Sequence, residues 1–168
     1  VIAINTSFRA APFADLLYAC DKGWWDHYYP EVTRVFQGPE LWTISNVAAR
    51  DYKLHYVRGD PHRQGLNSDK STINTGRNSG YQSICLAHFF GCRRIILLGY
   101  DFQRTNGRTH WHGDHPRSLG NGGRFPMWIE EMGRLAADAK QLGLEIVNCS
   151  RQTALRCFPR KPIEATLY

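Results

Sequence analysis

Arg93-Arg94-Ile95-Ile96-Leu97-Leu98-Gly99-Tyr100-Asp101-Phe102 is the stretch whose reading decides the fold. Its apolar centre, Ile95 to Leu98, is short and continuous and stops at a glycine, the pattern of a parallel strand buried on both faces. Directly ahead, Ser79 to Phe90 places Tyr81, Ile84, Cys85, Ala87, His88 and Phe89 at helical spacing, with Asn78-Ser79 as the N-cap and Gly91 as the stop. A helix that leads straight into such a strand is an α-then-β unit of a parallel sheet. Polar residues just past the carboxyl end of that strand lie where open α/β sheets bind ligands.

Working outward, Val1-Ile2-Ala3-Ile4, Asp15 to Cys20 and Leu41 to Ile44 read as further strands, and the alternating Tyr52 to Val57 as a strand nearer an edge. Gly23 to Pro30 reads as a short aromatic helix closed by its proline. Arg58 to Gly76, rich in Gly, Asn, Ser and Asp, reads as a long surface loop. Pro126 opens a helix from Met127 to Leu142 that Gly143 ends, and Leu144 to Ser150 forms the last strand. At 168 residues the whole chain, 1–168, is expected to fold as one domain that buries roughly two thirds of its unfolded surface.

The formal charge of +6 favours an anionic partner, such as a nucleotide, a sugar phosphate or a nucleic-acid backbone, although the 21 Lys and Arg are scattered. Trp24, Trp25, Tyr28 and Tyr29 could stack on bases, but an aromatic helix is more often core, and nucleic acid is the weakest of these partners. The five cysteines form no CxxC pair, which together with the lack of a signal peptide predicts a reducing, cytoplasmic setting. No apolar run approaches the ~18 residues of a membrane span, so no membrane partner is expected. Homo-oligomerisation stays open.

Each apolar strand finishes in short polar side chains: Asn5-Thr6-Ser7, Asp21, Gly99 with Asp101, and Asn148 with Ser150. In one parallel sheet these ends would converge on one rim, where hydroxyls, amides and carboxylates suit a ribose, base or sugar. The first amides of the Ser79 helix suit a phosphate. Arg77 or Arg108 could stabilise a leaving phosphate.

Beyond the rim lies Thr109-His110-Trp111-His112-Gly113-Asp114-His115, which holds three of the seven histidines. Its H-x-H-x-D-H spacing is similar to the metal motif of the metallo-β-lactamases, yet no histidine follows His115 to complete that family's ligand set. A single zinc site at His110, His112 and either Asp114 or His115 remains an alternative, with zinc as the only cofactor the sequence suggests. Without metal, a histidine oriented by Asp114 is a general base able to deprotonate an acceptor hydroxyl.

The order Asn78-Ser79-Gly80, helix, Gly91 to Phe102 and histidine loop resembles the bacterial sialyltransferases, whose sheet carries an [ST]-S-G helix followed by a G-x-D-F strand end. It is also similar to the MptE-like (6-hydroxymethylpterin diphosphokinase-like) family, especially small phage-encoded members with a G-T-H-W-H-G-D-H-P loop. The resemblance implies a Rossmann-like three-layer sandwich with a mainly parallel sheet. It further implies that Asn5, Asn78, Ser79 and Gly80 line a nucleotide pocket floored by Asp101, and that His112 or His115 acts as base without metal. The family's first strand and phosphate loop have no counterpart in these residues. The functional expectation is a nucleotide or nucleotide-sugar binding protein, a glycosyl- or phosphoryl-transferase with an unknown acceptor. The alternatives are a non-catalytic, nucleotide-sequestering phage accessory protein and a zinc hydrolase using the histidine loop.

Overall fold

The computed structural model describes residues 1–68, 70–109, 111–113, 115–116, 119 and 123–167. The chain divides into two compact units, one of Val1–Gly59 with Pro116–Leu119 and one of Asp60–His115 with Gly120–Tyr168.

In the first unit β1 (Ile2–Ile4), β2 (Leu16–Tyr18), β3 (Glu40–Thr43) and β4 (His55–Tyr56) form a four-stranded sheet in that order. Every pairing is parallel, with Ile2 opposite Leu16, Leu16 opposite Glu40 and Trp42 opposite His55. The connections are a 3-10 turn over Asn5–Arg9, helix α1 (Lys22–Val35) and helix α2 (Asn46–Tyr52). β2, paired on both edges, is buried at all three positions. Trp24, Trp25, Tyr28 and Val32 of α1 pack with Phe8, Leu17, Ala48 and Leu54 to make the core. Trp24 and Trp25 meet edge to face at 5.0 Å, and the Trp25 indole N–H donates to the Ala19 carbonyl at 3.0 Å. Burying rings of this size contributes roughly 4–6 kcal/mol each before entropy is counted. The aromatic residues are therefore core, and Trp24, Trp25 and Tyr28 offer no stacking face to bases.

Two expectations fail here for local reasons. The aromatic helix does not close at Pro30 but continues through it to Val35. The backbone bond lost at the proline is offset by burial of Val32 and by a bidentate pair in which Arg9 donates to both Glu31 oxygens at 2.7 Å. That pair also holds the Glu31 carboxyl below its ordinary pKa. Tyr52 to Val57 is not one strand, because Tyr52 ends α2 and only His55–Tyr56 pairs. Ser45 starts α2 by accepting from the Ala48 amide at 3.2 Å, and Lys53 closes it in the left-handed conformation at φ 55°.

The two-residue strand β5 (Gly59–Asp60), where the range of the first unit ends and that of the second begins, pairs with β6 (Ile73–Asn74) in a small sheet of their own. Helix α3 (Ser79–Phe89) leads into β7 (Arg94–Leu97), and helix α4 (Phe125–Gln141) leads into β8 (Glu145–Asn148). β7 and β8 are parallel, with Ile95 opposite Ile146 and Leu97 opposite Asn148. The stretch read as a surface loop from Arg58 to Gly76 is partly interior. The Gly65 carbonyl accepts from the Tyr81 hydroxyl at 2.8 Å and from Asn74 Nδ2 at 2.7 Å, while the Leu66 amide donates to Asp138 at 3.0 Å. After β8 the chain loops round and returns beside it in parallel, Arg160 opposite Asn148: the Asn148 amide donates to Pro159 O at 2.8 Å and the Lys161 amide to Asn148 O at 3.2 Å. Thr166 is fully buried at the end of this tail.

The fold is α/β, with helices alternating with parallel strands in the Rossmann-like manner. Among the described residues the strands are distributed over sheets of four, two and two rather than joined in one. No helix among them is long and apolar enough to cross a membrane. All five cysteines are free, and burial pushes the Cys85 thiol up to about 12.

Candidate functional site

The site grows out of the turn that ends β7. Gly99 has φ 74°, a left-handed conformation that a β-carbon would strain, and it redirects the chain so that Tyr100 enters the interior. The Tyr100 amide donates to Ser150 Oγ at 2.7 Å, and its carbonyl accepts from Thr153 Oγ1 at 2.7 Å and from Asn148 Nδ2 at 3.4 Å. Its phenol lies 2.8 Å from Ser83 Oγ and 2.9 Å from the Gly80 carbonyl oxygen. Tyr100 thus pins the first turn of α3 to the carboxyl ends of β7 and β8. The next residue, Asp101, is fixed by its own carbonyl, which accepts from the Ala154 amide at 2.8 Å.

Past Asp101 the chain makes a tight hairpin. Thr105 and Arg108 exchange both backbone hydrogen bonds at 3.0 Å, and Asn106 and Gly107 between them have φ 51° and 75°. Two successive positive φ values make this a type I′ turn, for which Asn-Gly is the favoured pair. Between the hairpin and Asp101 opens a cleft of about 480 Å³ lined by Asp101, Gln103, Thr105, Asn106, Arg108 and Trp111. The Asp101 carboxylate accepts from Thr105 Oγ1 at 3.3 Å, and partial burial raises its pKa above the ordinary aspartate value. Trp111 is 59 % exposed. Its ring is followed by those of His112, with centroids 5.5 Å apart, and His115, a further 4.7 Å on. The cleft therefore offers a half-buried carboxylate, hydroxyl and amide groups, a guanidinium and an indole beside two imidazoles.

The other residues singled out from the sequence fall as follows. In the first unit Asn5, at φ 48°, starts the 3-10 turn after β1. Thr6 is 1 % exposed, and its Oγ1 finds no hydrogen-bond partner among the described residues. The Ser7 carbonyl accepts from the Ala10 and Ala11 amides, and Asp21 is the exposed N-cap of α1, accepting from Cys20 Sγ at 3.2 Å. In the second unit Asn78 caps α3, its Oδ1 accepting from the Tyr81 amide at 3.1 Å, and Ser79 begins that helix. Gly80 lies against Tyr100: a β-carbon there would come within 3.1 Å of the tyrosine ring. His110 and Asp114 lie outside the described residues. Among the described residues no three His, Cys, Asp or Glu side chains are grouped to hold a metal.

Within the second unit Gly80, Asp101, Asn148 and Ser150 are brought together around Tyr100. The side chains of Asn148 and Ser150 are engaged in holding that turn: Asn148 Oδ1 also accepts from the Ser150 amide at 3.0 Å, and its Nδ2 reaches Thr153 Oγ1 at 3.3 Å. They are positioning residues. Gln103, Thr105 and Asn106 are not singled out by the sequence, although the Asn106-Gly107 dipeptide is a strong short-range hairpin signal. Comparison of the chain with protein-family models, with curated proteins and with solved structures finds no match in any of the three, so its function rests on the chemistry of its own residues.

Proposed function

We propose that the chain binds a nucleotide or nucleotide sugar in the Asp101 cleft and transfers a glycosyl or phosphoryl group from it to an acceptor hydroxyl. The observation that carries this reading is the composition of the cleft at the carboxyl end of β7. Asp101, Thr105 and Asn106 supply the planar and hydroxyl hydrogen-bonding groups that a ribose or sugar needs, Arg108 supplies a cation for phosphate, and Trp111 presents an exposed indole face. His112 and His115, next along the loop, are the candidate bases. In the transfer one of them takes the proton of the acceptor hydroxyl, the freed oxygen forms the new bond, and the bond to the departing phosphate breaks. Arg108 and the amides at the start of α3 then stabilise the charge left on the leaving group. The free cysteines fit a reducing cytoplasm.

The test is thermal denaturation against a panel of nucleotides and nucleotide sugars, followed by turnover assays on the ligands that stabilise. A ligand at 100 times its Kd raises stability by roughly 2.7 kcal/mol, which a melting curve resolves. His112→Ala and His115→Ala should keep binding, and at least one should lose turnover. If both keep turnover, the loop base is wrong. If the wild type binds nucleotides and turns none over, the chain is a binding or sequestering protein.

One observation favours a second reading: the His112 and His115 rings lie 4.7 Å apart, close enough to share an ion. A zinc hydrolase would then be the outcome, and elemental analysis of protein purified without added metal decides it. Near-stoichiometric zinc lost on His112→Ala supports it, and metal-free protein removes it.

A further inference from the structure

We propose that the cavity at the amino ends of β7 and β8 is a second anion site, which binds the phosphate of a small monoester and takes up a proton on His88 as it does so. The site lies within the second unit, at the other end of β7 from the Asp101 cleft, and does not depend on the nucleotide reading.

The cavity has a volume of about 350 Å³ and is lined by Lys70, His88, Gly91, Arg93, Leu142 and Leu144. Gly91 and Arg93 lie in the turn from α3 into β7, and Leu142 and Leu144 in the turn from α4 into β8. Lys70 reaches in from the segment before β6, with its Nζ 3.8 Å from the point where a β-carbon on Gly91 would sit. Two cations and an imidazole thus share one small space.

The fold does not use these cations. Helix ends carry a partial negative charge that cations can offset. Here, however, the last carbonyls are taken by amides of the turns: Gly91 N donates to His88 O at 2.8 Å, Cys92 N to Ala87 O at 3.0 Å and Leu144 N to Ala139 O at 2.8 Å. The carboxylate that follows Leu144, Glu145, is paired with Arg94 at 3.2 Å. Lys70 and Arg93 are exposed, and neither has a hydrogen-bond or carboxylate partner for its side chain among the described residues.

His88 supplies the second observation. Its ring is hydrogen-bonded to the Asn67 backbone, yet Nε2 is buried and finds no partner among the described residues. Burial, and then the Lys70 ammonium, hold the ring below its ordinary pKa. Lys70 and Arg93 are the charged groups that line the cavity with it, and the turn between α4 and β8 adds only leucines and Gly143. A buried polar atom left unpaired is rare in a folded chain and calls for a partner. An anion between Lys70 and Arg93 cancels the field that opposes protonation, so Nε2 gains a proton and donates to the anion. Three charged donors then surround one group, which suits a phosphate dianion better than a monocarboxylate. Buried Leu144 and Leu142, 43 % exposed, give the ester an apolar wall. A cavity of this size is at the low end for small-molecule sites and leaves room for a short ester body.

Isothermal titration calorimetry on the intact chain tests this with phenyl phosphate, orthophosphate, sulfate and benzoate. Phenyl phosphate should bind at least about tenfold tighter than benzoate, the effect of one charge-assisted hydrogen bond. Lys70→Gln and Arg93→Gln, both at exposed positions, should each weaken phenyl phosphate at least about tenfold with an unchanged circular dichroism spectrum, whereas Arg108→Gln in the Asp101 cleft should not weaken it. Sulfate has no proton to exchange near neutrality, so proton uptake measured with it in buffers of different ionisation enthalpy belongs to the protein. At pH 6.5 that uptake should be at least about half a proton and vanish in His88→Gln, and sulfate affinity should fall about threefold by pH 7.5. Should His88→Gln fail to fold, the imidazole resonances of the wild type read the same event, since one histidine must gain a proton when sulfate is added. Weakening by Arg108→Gln alone puts the phosphate in the Asp101 cleft and overturns the proposal. Benzoate binding as tightly as phenyl phosphate overturns the dianion, orthophosphate binding as tightly overturns the ester, and sulfate binding without proton uptake overturns the role of His88. No binding of phenyl phosphate or sulfate overturns the site.

Discussion

Asn148→Ala isolates the claim that the residues after β8 position the site rather than touch its ligand. Asn148 is fully buried. Its two donated bonds, 3.4 Å to Tyr100 O and 3.3 Å to Thr153 Oγ1, are long, and Tyr100 O keeps a better donor in Thr153 at 2.7 Å. Their loss is a small part of the effect. The larger part is the Ser150 amide, which donates to Asn148 Oδ1 at 3.0 Å and has no replacement acceptor once the side chain is gone. An orphaned buried amide costs about 1–3 kcal/mol, and the space left by the amide group adds roughly 1 kcal/mol if the surroundings do not collapse. The sum, roughly 2–4 kcal/mol, corresponds to a fall in Tm of about 4–16 °C for a chain of this size. Differential scanning calorimetry reads it, with Ser150→Ala as the companion variant, since that change orphans the Tyr100 amide and should cost about 1–3 kcal/mol by the same reasoning. A Tm for Asn148→Ala within about 2 °C of wild type, combined with lost ligand binding, would refute the positioning role and return Asn148 to the ligand.

Asp101→Asn should raise Tm at pH 7. Burial lifts the folded-state pKa of Asp101 above its unfolded value, so the ionised carboxylate weakens the fold at neutral pH, and this penalty fades as pH falls to the ordinary carboxylate range and below. A Tm difference between wild type and variant that does not shrink on acidification sinks the argument. Asn106→Ala and Gly107→Ala each force an alanine into the left-handed region of the type I′ turn, at about 1 kcal/mol. They should distort the cleft, so that nucleotide affinity drops while Tm moves only a few degrees, and unchanged affinity in both would remove the hairpin from the site. Pro30→Ala should stabilise by about 1–3 kcal/mol in urea denaturation, because the interior of α1 regains an amide donor. A destabilised variant would mean that the proline ring packs productively.

How much of this was legible in the sequence depends on whether a local signal ran unopposed. α3 and β7 were legible because the Asn78 cap, the helical apolar spacing, Gly91 and the Ile95–Leu98 run all agree, and the helix forms over Ser79–Phe89 as its pattern requires. Pro30 misled because proline as a breaker is a local rule, and the burial of Val32 and the Arg9–Glu31 pair override it from outside the helix. Tyr52 to Val57 misled because alternation is visible in sequence whereas the Ser45 cap that claims Tyr52 for α2 lies seven residues earlier. In the site Asp101 was legible from its place after a buried strand. The polar type of Asn148 and Ser150 was also legible, but not its use, since an amide or hydroxyl that binds a ligand and one that binds a neighbouring backbone look identical in a string of letters. Arg108 was legible as a cation near the strand end, whereas Gln103, Thr105 and Asn106 join it in the cleft wall only through the Asn106-Gly107 turn, a local signal that fixes a hairpin but not what the hairpin faces.

The returning tail beside β8 has a consequence for handling the molecule. By engaging the amide and carbonyl of Asn148 through Pro159 and Lys161, and by anchoring itself with the buried Thr166, it hides ladder groups at the carboxyl end of β8 that an extended segment from elsewhere could otherwise zip onto. A protease nick near Arg156 would unshield that seam, and self-association, rather than loss of secondary structure, should be the first symptom.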